Sequence, residues 1–503
     1  VVTVIRLGML LLAMLIAGCA PNQPQAGEIR VGLAQAPMTL DPRYATDAAS
    51  VRVQELVHRG LVRLDDHFVP QPDVARSWEH PTPLLWIFHL RSGIRFHDGT
   101  LLTSRDVAAT LESILDPSKA SPLRSGFAAI KAVDPTDPLT LKIRLSRPDA
   151  SLLTRLSVGI LPASLAHGPQ LARRTIGCGP FMFKSWEGND LILERAGAPA
   201  PPGRVQRIRF IEVKDPVTRC LKLVNGEIDL IENDLPPRLL PYLASHTKRV
   251  TLESEPSTTF SYLGMNLQDP PLSDVRVRRA LALAIDREKL KKALFSNMPV
   301  LAETILPPQH WAHAKLPVRP YDPAEARHLL DEAGLRPNKH GIRLVLNYST
   351  STDPTRLNMA TAIASMWRKI GVETHVRSME WGGFYARIKQ GNFQVYSLSW
   401  VGIVDPDIYR WVLSSSMWPP KGANRGRYSN PEVDRWLDEA AVDENRQQRA
   451  ALYAKVERKM WQDVVYIPLW YDPVIVAYGP RVLGFRMHPD GSLRSLADVH
   501  LKD

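Results

Sequence analysis

The chain has 503 residues, is 44% hydrophobic and 23% charged, and carries a net charge of +11. That length exceeds what one core fills, so two or more lobes are predicted. No second long apolar run follows the N-terminal one, which argues against a transmembrane helix. The basic residues are scattered, without an arginine-rich arm or an aromatic–basic repeat, so a solvated basic surface is the reading and a nucleic-acid partner is not. Forty-two prolines mark firm loop ends rather than disorder.

Arg6 precedes an apolar run over 7–17, shorter than the roughly 20 residues of a membrane span and of the size of a signal-peptide core. Ile16, Ala17, Gly18 and Cys19 resemble a lipobox. A signal peptide over 1–18 is therefore expected, with Cys19 as the lipid-bearing mature N-terminus and 19–28 as a polar, Pro-rich tether. The mature chain would work outside the cytoplasmic membrane. Of the other cysteines, Cys178 and Cys220 either pair or remain two thiols, and spacing alone leaves both readings open.

After the tether, 29–33 reads as a strand, 48–57 as a helix and 61–64 as a short strand. Pro70, Pro72, Ala75, Ser77, Trp78, Trp86, Phe88, Leu90 and Arg91 lead to a run FHDGTLLTSRDV over 96–107. There Asp98 and Gly99 make a tight turn, and Thr103 with Asp106 forms a capping box for a helix whose face is Val107, Leu111 and Ile114. His97 and Asp98 are read as structural. A strand over 140–145 follows, then Gly177, Cys178, Gly179, Pro180, Phe181 and Trp186, then a helix over 217–225. Two glycines flanking one side chain let the backbone approach a ligand, or merely turn tightly.

The stretch YLGMNLQDPPLSDVRVRRALALAIDR over 262–287 organises the rest. Tyr262, Gly264 and Asn266 alternate with Leu263, Met265 and Leu267, the period of a strand with two different faces. Pro270 and Pro271 stop it, and Ser273 or Asp274 caps a helix with Val277, Leu281 and Ile285 on one side. A helix over 324–333 is bracketed by Asp322, Pro323 and Gly334. Strands over 343–347, 372–376 and 393–399 alternate with helices over 355–370 and 381–390, a βαβαβ run that predicts a parallel sheet. The stretches 428–440 and 449–461 precede strands over 466–470 and 474–478.

Tyr262, Asn266, Pro271, Asp274, Arg276, Val277, Arg278, Ala280, Asp286 and Arg287 resemble the signature of the family 5 solute-binding proteins that serve peptide and nickel ABC importers. The 70–107 run and the 177–186 loop, with Cys178 in place of the usual Thr, resemble the same family, as does YSNPEVDRWLDEA over 428–440. The likeness covers about 29–480. It implies an α/β, two-lobed periplasmic-binding-protein fold of type II with an extra subdomain in the first lobe and a hinge between lobes. The corresponding boundaries are 29–45, 173–257 and 479–503 for lobe I, 46–172 for the accessory subdomain, and 258–478 for lobe II.

In parallel sheets ligands bind beyond the carboxyl ends of strands, which selects the loop over 400–407 in the second lobe. In peptide-binding members that loop carries a Trp and then an Asp that pairs with the ligand's amino group. Here the third residue after Trp400 is Ile403, so Asp405 either takes that role or only caps the turn Asp405-Pro406-Asp407. Trp400, Asp405, Tyr262, Asn266, Cys178 and Gly179 are the candidate ligand residues, with no metal, cofactor or catalytic group. The resemblance implies a monomeric extracytoplasmic lipoprotein that hands a peptide or peptide-like solute to ABC permease subunits. A metal chelate on the same fold is the alternative, although His310 and His313 are a weak metal pattern. A ligand report to a signalling partner is a further one. A lipid-anchored hydrolase is the competing class, but HExxH, GxSxG and GxxxxGK[ST] are absent, and Ser245 and Lys248 fit Ser-x-x-Lys too loosely to count.

Overall fold

The computed structural model describes residues 25–199, 201–233 and 235–502. The expected signal peptide, Cys19 and the first part of the tether lie outside the described residues. The main sheet follows one path through β1 (Glu28–Leu33), β2 (Phe181–Glu187), β3 (Asp190–Arg195), β4 (Arg207–Glu212), β5 (Leu230–Glu232), β6 (Thr251–Met265), β7 (Leu344–Ser351), β8 (Val372–Met379), β9 (Val395–Trp400) and β10 (Tyr466–Tyr478). Their spatial order is β8-β7-β9-β6-β10-β5-β1-β4-β3-β2, with the short strand Val300–Leu301 added on β10.

The second lobe forms as the alternation of elements predicts, with β7 parallel to both β8 and β9. The helix Trp381–Gln390 starts where the Glu380 carboxylate accepts from Gly382 N (2.8 Å) and ends at Gly391, whose φ of 80° suits a glycine stop. It buries Phe384 and Ile388 on one sheet face, while the helix Pro354–Arg368 buries Met359, Ile363 and Trp367 on the other. Helices therefore seal both sides, as a parallel sheet requires. In the first lobe β1 pairs in parallel with β4 and β5. Val474 and Val476 of β10 enter one of its cores and Ile475 and Ala477 the other, the two-residue alternation of a strand between two layers.

Two long antiparallel strands join the lobes. Residues 251–256 of β6 pair with 473–478 of β10, and Phe260 to Gly264 pair with 466–471, with a register shift between Pro256 and Phe260. The expectation of two strands over 466–470 and 474–478 is thus corrected to one, because both pieces stay paired to β6 across the irregularity. The two different faces expected around Tyr262 are present and both are buried, Leu263 and Met265 in one core and Phe260 and Tyr262 in another, since β6 lies mid-sheet between β9 and β10. Gly264 shows how tight this is, because a Cβ there would lie 2.2 Å from the buried Tyr396 ring. Gly264→Ala is expected to cost about 1–3 kcal/mol through overpacking, read as a lower urea midpoint.

A separate antiparallel sheet, ordered Ala75–Thr82, Leu85–Leu90, Thr140–Leu145, Ile130–Asp137, packs under the helix Ser104–Leu115, which starts at the expected Thr103–Asp106 capping box. The 96–99 turn and the 177–180 loop hold each other, His97 N donating to Gly177 O (2.9 Å) and His97 Nε2 lying 3.0 Å from Gly179 O, while Gly179 N donates to Val57 O (2.8 Å) at the end of the helix Ala48–Val57. A Cβ on Gly177 would sit 2.0 Å from Val57 O, and one on Gly179 2.5 Å from Leu56 O, so these glycines permit loop-to-helix backbone contact. Cys178 points into this subdomain's core, where burial pushes its thiol up to about 11. Cys220 is buried in another core, and both thiols are free. Among the described residues no helix is long and apolar enough to cross a membrane.

Candidate functional site

A cavity of ≈ 490 Å³ opens between the lobes. Its first-lobe wall is made by Ala34, Lys214 and Asn233, which follow the carboxyl ends of β1, β4 and β5. Its second-lobe wall is Thr355 and Arg356, in the first turn of the helix after β7, together with Phe295 and Met359. Ser261 of β6 and Trp470 and Asp472 of β10 form the floor. The cavity therefore lies beyond strand carboxyl ends in both lobes, where that rule places ligands. Applied to β1, β5 and β7 as well as to β9, it would have found Asn233 and Arg356 from the sequence.

The floor is polar and ordered. Ser261 Oγ lies 3.0 Å from both Asp472 oxygens and 2.7 Å from Ser399 Oγ. Trp470 Nε1 donates to Asp472 Oδ1 (2.9 Å), and Arg356 Nη2 donates to Ser399 Oγ (2.7 Å). Burial raises the Asp472 carboxyl above the ordinary aspartate range, and the Arg356 charge partly opposes that shift. Arg356 has one side-chain hydrogen bond and no ion pair among the described residues, so most of its five donors remain for a guest. Asn233 is pinned at the rim with φ 54°: its N donates to Ile475 O (2.7 Å), and its Oδ1 accepts from Ile475 N (3.0 Å). The apolar side is Phe295 set edge-on against Trp470 at 5.1 Å. Opposite charges above an aromatic wall suit a small zwitterion.

The residues expected from sequence fall elsewhere. Asp405 accepts from Ser151 Oγ (2.7 Å) and Thr154 Oγ1 (2.8 Å), and also from Asp407 N (2.9 Å), which is the turn-capping geometry. It faces the four-stranded subdomain, beside Arg449, whose Nη2 donates to Ser151 Oγ (3.2 Å). Burial and the Asp405 charge raise the neighbouring Asp407 carboxyl to about 6. Trp400 is half-buried, stacked on Tyr262 at 6.2 Å and covered by Arg425 at 4.5 Å. Tyr262 is wholly buried beneath it, on the opposite strand face from Ser261. Asn266 is not brought near Trp400: the antiparallel register sets Phe260 against Trp400 and Met265 against Val395. That places Asn266 roughly 20 Å away along the strand, at about 3.3 Å per residue. Cys178 and Gly179 lie in the subdomain as described above. Among the described residues, no group of three or more His, Cys, Asp and Glu side chains is placed to hold a metal ion. His310 stacks on Phe68, and His313 meets Thr304 and Leu306.

This chain is similar to the glutathione-binding protein GsiB of Escherichia coli O1:K1, 29% identical over 96% of this chain and 97% of the relative. It is also similar to the crystal structure of NikZ from Campylobacter jejuni in complex with Ni(L-His), with a TM-score of 0.75 at 25% identity over 95% of this chain and all of that one. HbpA2 from Haemophilus parasuis shares the two-lobed fold with a TM-score of 0.84 at 24% identity, covering 95% of this chain and all of that one. Residues 69–418, well over half the chain, match the family described as bacterial extracellular solute-binding proteins, family 5 Middle. With a cleft between two lobes and a sheet continuous through both, the chain belongs to the family 5 bacterial extracellular solute-binding proteins.

Proposed function

We propose that this protein is the solute-binding component of an ABC importer that captures a short peptide or peptide-like solute between its lobes and presents it to the permease. The observation that carries the reading is the interlobe cavity, in which Asp472 and Arg356 offer opposite charges from different elements above the Phe295–Trp470 wall. A zwitterion held by Asp472 and Arg356 that also touches Lys214 or Asn233 on the first-lobe wall stabilises the closed form by its differential affinity, and no covalent step is needed. Glutathione is itself a tripeptide, so the relative's name supports this class over a metal chelate. We extend the reading to the whole chain: 1–18 as a signal peptide, Cys19 as a lipid anchor on the tether 19–28, 29–45, 173–257 and 479–503 as lobe I, 46–172 as its accessory subdomain, 258–478 as lobe II, and a monomer in the extracytoplasmic space.

Native mass spectrometry of the form lacking residues 1–19, followed by denaturation, tests it. Release of short peptides is the expected result; release of a metal complex, glycan or lipid overturns the peptide assignment. For a peptide that binds, Arg356→Ala is expected to weaken affinity by about tenfold or more, the worth of one hydrogen bond to a charged group. Unchanged affinity in calorimetry would remove Arg356 from the site.

A further inference from the structure

Among the buried arginines of the described residues, most are neutralised or capped. Arg30, Arg43 and Arg287 pair with Asp229, Asp41 and Glu303, and Arg219, Arg278 and Arg449 donate to backbone carbonyls. Arg425 has neither kind of partner. It is 7% exposed, its guanidinium lies over the rings of Trp400 (4.5 Å) and Tyr385 (5.4 Å), and its hydrogen bonds go to Tyr262 Oη (3.2 Å) and Tyr385 Oη (3.1 Å). Two more buried polar atoms of the cage, Trp400 Nε1 and Tyr396 Oη, complete no well-formed hydrogen bond. A buried cation held only by aromatic faces and neutral hydroxyls lacks the counter-charge that burial normally demands.

The cage reaches the surface on its second-lobe side. Trp381, half exposed, stacks on Tyr385 at 5.5 Å, and Val401 and Gly402, just past Trp400, are exposed. It is also next door to the cavity: Ser399, which holds Arg356, and Trp400, which carries Arg425, are consecutive residues on opposite faces of the β9 end. The cage does not line the cavity itself, and the strand end between them is formed by the exposed Val401 and Gly402.

We propose that Arg425, walled by Trp400 and Tyr385, anchors a carboxylate subsite, so that the solute is an anionic peptide with one more carboxylate than amine. This rests on the peptide reading above and deepens it. Arg356 and Arg425, with Lys214 and Arg219 on the first-lobe side, outnumber Asp472, the one carboxylate lining the cavity among the described residues, and so complement a solute with more carboxylates than ammonium groups. Nothing in the cage would complement a second ammonium.

Calorimetry with the tripeptides Glu-Ala-Gly and Gln-Ala-Gly, which differ by one carboxylate at equal size, tests it. The protein is expected to prefer the Glu peptide by about tenfold or more, the worth of a charge-assisted bond. Arg425→Met should bring that ratio toward unity, and Arg425→Lys should restore part of it. A ratio unchanged by Arg425→Met, or a loss shared equally by both peptides with no recovery in the Lys variant, overturns the subsite and leaves Arg425 as a support for Trp400. Should neither peptide bind, the peptide reading falls, and succinate decides the subsite alone. A tryptophan fluorescence change with succinate at fixed ionic strength, lost in Arg425→Met, supports it; no change, or one that persists in the variant, overturns it.

Discussion

Arg287→Ala is expected to lower folding stability by about 3–5 kcal/mol, the cost of stripping a buried ion pair of one partner. Arg287 closes the 262–287 signature and is 6% exposed. Its Nη2 reaches Glu303 Oε1 (2.5 Å) and Arg319 O (3.0 Å), and its Nη1 reaches Ala302 O (2.8 Å) and Pro468 O (3.0 Å). One side chain thus ties the helix Arg287–Phe295 to β10 and to the chain around residue 319. Its loss leaves the equally buried Glu303 carboxylate with no ion pair, held by hydrogen bonds from Arg319 N and Trp461 Nε1 and by the field of the nearby Arg319 guanidinium. Urea denaturation should show a lower midpoint at unchanged slope. The double variant Arg287→Met, Glu303→Leu should recover much of the loss, because replacing both charges removes the stranded one. A single-variant cost below about 1 kcal/mol would place the pair among the weak surface kind.

The second large effect concerns pH. Glu457 is wholly buried, and desolvation raises its carboxyl from 4.5 to about 8, against the opposing bonds from Tyr409 and Ala314. Tyr409 Oη lies 2.5 Å from Glu457 Oε1, and Ala314 N donates to Oε2 (2.6 Å). The folded state keeps the proton up to about pH 8, whereas the unfolded chain releases it near 4.5. Between those values the unfolded state binds fewer protons, so this group's contribution to stability falls as pH rises, by about 1.4 kcal/mol per unit, and it is fully present only below the unfolded pKa. Glu457→Gln keeps the shape and cannot ionise. Its stability relative to the parent protein should therefore improve steadily from about pH 5 to pH 8. A difference that stays flat over that range would show that Glu457 is ionised throughout.

The fold was legible wherever neighbouring residues settle their own conformation. The helix Trp381–Gln390 has the predicted bounds because an acidic cap and a glycine stop sit within its own ends. The same is true of Asp322 and Pro323 before the helix Pro323–Glu332 and of Thr103 and Asp106 before Ser104–Leu115. The continuity of β10 was not legible, because Pro473 reads locally as a break and only pairing with β6 overrides it. The site was less legible still. Asp405 finds Ser151 and Thr154 more than 250 residues away in sequence, and Arg425 finds Tyr262 at a separation of 163.

Composition, periodicity and capping by themselves determined the α/β class and the parallel second-lobe sheet, and the family was legible through the resemblance of the 262–287 motif. Such signals are carried by residues within a few turns of each other, where backbone preference and hydrophobic period act. Only the tertiary structure decided that Trp400 and Ser399 serve opposite sides of one strand end, that Asn266 stands at the far end of β6, and that Asp472, Ser261 and Arg356 share one cavity. The physical reason is register. One residue of shift along a strand turns a side chain to the other face, and the partner strands that set that shift come from distant parts of the chain.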